Sequence, residues 1–251
     1  MTSTSNAAAA PTPEELARLS RRRLAALRRA GRELVLALES FSRDGRHPVV
    51  DLARLAGDRF VEAERYPADS VADRATGFSW FYHAHAGWSS RPWDEHGHFH
   101  CFVDSGRLPR RAGRLALPVD ADPAQSGCVH LVGVSIDRRG VPTTLFATNR
   151  WVTDERMYSA GPVAALAQAF AVDAPGEFDL TSRWLGALVR LLQPMVLSLL
   201  EARDRRLAAH RELTGAGFSE DRELEIAAYA TVDLDAWMDA IAEASAIQRG
   251  R

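Results

Sequence analysis

His83, His85, His96, His98 and His100 lie in one window, FYHAHAGWSSRPWDEHGHFHCF at residues 81–102, which holds five of the eight histidines of this 251-residue chain. Imidazole is the commonest side-chain ligand of transition metals, so such a density points to metal chemistry. The spacing is as informative as the number. Side chains alternate across a β-strand, so Phe81, His83 and His85 share one face of a first strand, and His96, His98, His100 and Phe102 share one face of a second. If the two strands form a symmetric hairpin across AGWSSRPWDE, His85 stands opposite His96, His83 opposite His98 and Phe81 opposite His100. Directly opposed Cβ atoms are about 5 Å apart, close enough for two imidazoles to converge on one ion at about 2.0–2.1 Å per nitrogen.

His130, in the strand CVHLVGVSI, shares a face with Cys128, Val132 and Val134 by the same alternation and is expected to point into the same pocket. A neighbouring carboxylate, Glu95 or Asp94, would complete a site of histidines and one carboxylate with an open position. The expected metal set is therefore His83, His85, Glu95, His96, His98, His100 and His130. The expected cofactor is a divalent transition metal: Zn, Fe, Cu or Ni. Arg150, in ATNRWVTDER, is the expected substrate-binding residue, since a guanidinium fork can hold a carboxylate or phosphate; an ion-pair network would explain it equally well. No catalytic residue is assigned. A metal-free, aromatic-lined pocket for an organic ligand, with Trp80, Tyr82, Trp88 and Trp93 nearby, is the alternative use of the same residues, and some of the histidines could simply be exposed on a sheet edge. His47 and His210 lie outside the cluster and are expected to have no functional role.

The elements that must position these groups follow from periodicity. Thr12 as N-cap, Pro13 at the first helical position and Glu14 and Glu15 in the first turn announce a helix. Its apolar positions run from Leu16 to Phe41, with arginines over the rest of its surface. A second helix is expected near 49–63. Period-two stretches at 77–85, 97–103, 128–136 and 143–148 read as strands, with DRRG at 137–140 as a hairpin turn. Helices are expected at about 160–171 and 180–212, the second kinked or restarted at Pro194, then a strand within 223–234 and a short helix capped by Asp235. The fold class is α+β, a largely antiparallel sheet flanked by N-terminal and C-terminal helices. Residues 1–11 read as a disordered tail, 12–70 as an N-terminal helical segment, and 71–251 as the α+β domain carrying the histidines, one globular unit with 12–70.

Composition removes several classes. The formal net charge is −2, which argues against a nucleic-acid partner. All 31 residues counted as Lys or Arg are arginine, which excludes phosphate-loop and Schiff-base chemistry that needs a lysine amine. Two cysteines without C-x-x-C spacing exclude a disulfide scaffold or a thiolate zinc knuckle. The N-terminus lacks the pattern of a secretory signal, and the apolar run at 185–200 is interrupted by Arg190, Gln193 and Pro194, so a cytoplasmic protein without membrane contact is expected. A small-molecule substrate is the expected partner, and the oligomeric state is left open.

HGHFHCF resembles the signature of the histidine-triad nucleotide hydrolases and transferases. That resemblance implies His98 as a phosphoryl-transfer nucleophile, with His96 and His100 positioning the phosphate. The H-x-H order followed by a carboxylate and further histidines is loosely similar to the cupin metal motif, with a longer interval to Glu95. The ensemble FYHAH, EHGHFHCF and HLVGVSIDRRG resembles a bacterial family described as a domain of unknown function, which implies that the cluster is a family feature and implies no activity. The function expected from the residues is transition-metal binding on a sheet, in an oxygenase or hydrolase, with triad-like phosphoryl transfer or non-catalytic ligand or metal handling as alternatives.

Overall fold

The computed structural model describes residues 7–55, 61, 64–84, 91–118, 120–122, 125 and 127–250. At the N-terminus, the Thr12 hydroxyl accepts from the Glu15 N–H and the Glu15 carboxylate accepts from the Thr12 N–H, a reciprocal cap that starts α1 (Pro13–Leu16). The single helix expected from here to Phe41 is broken after one turn. Ser20 caps a second helix, α2 (Arg21–Arg43), its hydroxyl accepting from the Arg23 N–H at 3.3 Å and so satisfying a donor that a continuous helix would not leave free. The buried side of α2 carries Leu24, Leu27, Ala30, Leu34, Ala37 and Phe41. Gly31 lets α2 meet a later helix closely, because a Cβ there would lie 2.8 Å from Met238 Cε. After α2 comes α3 (Pro48–Leu55); residues 56–60 and 62–63 of the expected second helix lie outside the described residues.

Six strands form one antiparallel sheet in the order β1 (Arg65–Asp73), β2 (Phe78–Ala84), β3 (Gly97–Asp104), β5 (Cys128–Ile136), β6 (Pro142–Thr148) and β8 (Ile226–Thr231). A small ribbon pairs β4 (Arg114–Ala116) with β7 (Met157–Tyr158). The fold is thus α+β, a largely antiparallel sheet with flanking helices, as the patterning predicts. The division at residue 70 falls inside β1. This strand has no clear apolar alternation because it is an edge strand that buries only Tyr66 and Val71, and an edge tolerates Pro67. The DRRG turn forms as expected, with the Asp137 carboxylate accepting from the Arg139 and Val141 N–H groups and Gly140 at φ 77°.

The remaining helices are α4 (Arg150–Thr153), α5 (Ala160–Ala167), α6 (Asp179–Leu191), α7 (Gln193–Thr214) and α8 (Leu234–Arg249). The segment expected at 180–212 is α6 and α7, bent by 69° at Leu192 with Pro194 in the first turn of α7. Among the described residues no single helix is long and apolar enough to cross a membrane. α8 is capped by Asp233, whose carboxylate accepts from the Ala236 N–H, and not by Asp235, which lies inside the helix. Part of the expected disordered tail is tied down: Ala7 bridges Tyr229, and the Ala8 N–H donates to the Tyr229 carbonyl at 2.7 Å.

Register divides the sheet into two faces. Tyr82, Phe99, Val134 and Leu145 are opposed in turn across β2, β3, β5 and β6, as are Trp80, Cys101 and Val132. This is the face that α6 covers. The Trp80 Nε1–H donates to Ser182 Oγ at 2.9 Å, and the Phe99 ring lies 5.5 Å from that of Trp80 and 5.6 Å from that of Trp184. The other face carries Phe81, His83, His98, His100, Phe102 and Phe146.

Candidate metal centre

The hairpin register expected from the sequence is the one that forms. His83 stands opposite His98, and Phe81 opposite His100. Where β3 meets β5, His98 is opposed to Ser135 and His100 to Gly133. Gly133 matters because a Cβ there would lie 2.3 Å from the Phe146 ring. Its absence makes room for the Phe146 ring, whose centroid lies 5.0 Å from that of His98 and 5.7 Å from that of His100. Phe81 closes the other side, 4.9 Å from His83 and 5.1 Å from His100.

His83, His98 and His100 each offer a ring nitrogen, and these three atoms lie within 4.8 Å of one another. His98 and His100 are buried and His83 is half-buried. The Nε2 atoms of His98 and His100 face each other at 3.1 Å. Two nitrogens bound to one tetrahedral ion at about 2.0–2.1 Å would be about 3.3 Å apart, so the pair is spaced to share an ion or a proton. The far side of each ring is held. His98 Nδ1 is 3.0 Å from Glu95 Oε1 and 2.7 Å from Arg91 Nη1, and His100 Nδ1 is 3.0 Å from His130 Nε2. With its Nδ1–H directed to Glu95, His98 turns an Nε2 lone pair toward His100. With Nδ1 accepting from Arg91, its Nε2–H donates to His100 instead.

Glu95 is the hub of the polar contacts. Arg91 Nη1 pairs with its Oε1 at 2.5 Å, the Trp93 indole donates to its Oε2 at 3.0 Å, and the Ser135 hydroxyl donates to the same oxygen. Burial opposes the charge on Glu95, but the hydrogen bond and charge of His98, with Arg91 and Ser135, hold its carboxyl well below the usual carboxylate range. Burial, added to the neighbouring His98, His130, His83 and Arg91, keeps His100 neutral far below the ordinary imidazole value. Burial and then Arg203 push His130 down to about 3. Beyond His130, the fully buried Glu155 accepts from the His130 backbone N–H at 2.8 Å. Burial raises Glu155 to about 7, which Arg203 and that N–H only partly offset.

Three expectations need correction. His130 joins the cluster, but not by simple alternation with Val132 and Val134, which face the helices. The ladder pairs Cys101 with Val132 and Phe102 with His130, so Leu131 is an extra residue, and this β-bulge turns His130 to the histidine face. His96 does not share the face of His98. Ladder pairing starts at Gly97, and His96 Nδ1 hydrogen-bonds the Tyr82 hydroxyl at 2.6 Å on the helix-covered side. Gly97 permits this, because a Cβ there would lie 2.2 Å from the His83 carbonyl oxygen and 2.3 Å from the Tyr82 hydroxyl. Arg150 is not open to a substrate: its buried guanidinium is paired with Glu220 and, at 2.6 Å, with Asp154. His85 and Trp88 lie outside the described residues. Of the two carboxylates considered, Glu95 reaches a histidine, whereas Asp94 is exposed. His210 is held by Asp221 at 2.9 Å, away from the cluster.

Arg91, Trp93 and Ser135 as partners of Glu95 were not singled out from the sequence. The one local signal was the i, i+4 spacing of Arg91 and Glu95, which in a loop carries no helical meaning. Residues 28–232 match a family model described as Domain of unknown function (DUF6969). No curated protein and no solved structure matches the chain.

Proposed function

We propose, for a chain that belongs to the family described as Domain of unknown function (DUF6969), that its role is to bind a divalent transition metal (Zn, Fe, Cu or Ni) through His83, His98 and His100. The observation that carries this reading is the convergence of three imidazole nitrogens within 4.8 Å, two of them facing at 3.1 Å, with the opposite ring nitrogens of that pair directed at Glu95 and His130. In this reading Glu95 orients His98, and His130 accepts from the Nδ1–H of His100; both act on the ligands and not on the ion. Three neutral ligands leave a coordination position open, and a metal held in this way would supply an activated water or a site for dioxygen, the chemistry of a hydrolase or an oxygenase. Phe81 lies 4.9 Å from His83 and Phe146 5.0 Å from His98, so a metal held by these ligands would have an aromatic surrounding.

Elemental analysis of the full chain purified without an affinity tag tests the proposal. About one equivalent of a first-row metal is expected, with a rise in melting temperature on adding it to metal-free protein. Absence of metal together with no stabilisation by Zn, Fe, Cu or Ni would overturn it. Phosphoryl transfer of the histidine-triad kind is disfavoured by the turning away of His96. Chelator-insensitive turnover of a nucleotide phosphoramidate, lost in His98→Ala, would reinstate it.

A further inference from the structure

Two of the arginines near the histidine cluster, Arg91 and Arg65, differ in what faces them. Arg91 is nearly buried and neutralised by Glu95 at 2.5 Å and Glu225 at 2.8 Å. Arg65, in the edge strand β1, is exposed, and among the described residues its guanidinium makes no ion pair. Ladder register places Arg65 directly opposite His83, so the two side chains leave the same face of the sheet as neighbours. The guanidinium is not swinging freely there. It lies over the Phe81 ring with Cζ 4.5 Å from the centroid, and the same ring contacts His83 and His100. This cation–π contact holds the guanidinium beside His83, and its N–H groups can serve a planar, two-oxygen acceptor.

Arg65 stands on the least buried flank of the triad: His98 and His100 are buried, His83 is half-buried, and Arg65 beside it is exposed. The floor next to the guanidinium is apolar, because the Phe81 and Phe102 rings stack at 5.4 Å and 28°. A charged fork beside an aromatic floor fits a molecule with a carboxylate at one end and an apolar body.

From this juxtaposition we propose that Arg65 is a specificity-determining residue that binds the carboxylate of a small apolar organic acid presented to the open position of the histidine-bound metal. The inference rests on the metal reading and deepens it by naming the substrate class. Arg65 acts by forming two parallel N–H···O bonds to the carboxylate, while Phe81 and Phe102 take the apolar part.

Cobalt(II) loaded into the full chain provides the test, with benzoate, inorganic phosphate and imidazole as probes of the visible cobalt spectrum. Benzoate is expected to perturb the wild-type spectrum saturably and more tightly than phosphate. Arg65→Gln is expected to weaken benzoate by about tenfold or more while cobalt and imidazole affinities stay within about twofold, and Arg65→Lys to recover only part of the loss, because an ammonium lacks the fork. Arg65 is exposed, so both variants should keep the wild-type circular dichroism and melting temperature. Equal benzoate affinity in wild type and Arg65→Gln overturns the proposal, as does tighter binding of phosphate than of benzoate. Cobalt uptake without benzoate binding refutes this inference alone, whereas failure to take up cobalt refutes the metal reading and this one with it.

Discussion

β3 supplies alternate residues to two surroundings that are equally buried and chemically opposite. Phe99 and Cys101 point toward α6 and are 0% exposed; His98 and His100 point the other way and are 1% and 2% exposed. On the helix-covered face, apolar contact is enough, and the indole of Trp80 has Ser182 as its acceptor. On the histidine face, each buried ring nitrogen requires a partner, and the chain Glu95, His98, His100 and His130 supplies one after another at 3.0–3.1 Å. Burial of the same depth therefore gives cohesion on one side of a strand and fixed directionality on the other.

Removing material from the helix-covered face should have the largest effect. Phe99→Ala is expected to lose about 3–5 kcal/mol of stability in chemical denaturation, with metal affinity of the remaining folded protein retained; a loss below about 1 kcal/mol would mean that this face is not where stability resides. On the histidine face the sign of the comparison reverses. His83→Ala and His98→Ala should each lower metal affinity by at least about tenfold, about 1.4 kcal/mol, whereas His47→Ala and His210→Ala should leave it unchanged in the same titration. Glu95→Gln should lower metal affinity by about tenfold, the low end for an outer partner that orients a ligand, and a metal affinity equal to wild type would show that Glu95 does not set the His98 tautomer.

Proton linkage gives the smallest effect, seen in metal-free protein. His100 and His130 are held below the ordinary value of 6.5 when folded, so their contribution is full above pH 6.5 and is lost as pH falls, for His130 toward about 3. Glu155 acts in the opposite direction. Its folded value of about 7 lies above the ordinary 4.5, so its contribution is full below pH 4.5 and is lost as pH rises through 7. Glu155→Gln should therefore steepen the rise of stability with pH between about 5 and 6.5, by at most about 1.4 kcal/mol per pH unit. An unchanged slope in denaturation at stepped pH would refute the opposition.

Much of the histidine face was legible because alternation and a symmetric loop are local properties. Together they give the pairing of His83 with His98 and of Phe81 with His100 directly. What alternation misses are its interruptions. His130 arrives through a bulge at Leu131, a residue no different in type from its neighbours, and His96 leaves because Gly97 lets the Tyr82 hydroxyl cross the strand. β1 was missed because an exposed edge strand has little apolar period to read. Partners such as Ser135, 40 residues from Glu95, belong to tertiary structure and have no spacing signature.

The bulge at Leu131 has a consequence for how the chain tolerates changes in length. Deleting Leu131 would leave His130 against Phe102 and Val132 against Cys101, now as a regular ladder, so both halves of β5 would keep their outward and inward residues. Deleting a residue between Val132 and Ile136 instead would put the two ends of the strand out of phase and turn one set of side chains to the wrong face. In β5 the bulge is thus a position where the loss of one residue keeps the histidine face in phase.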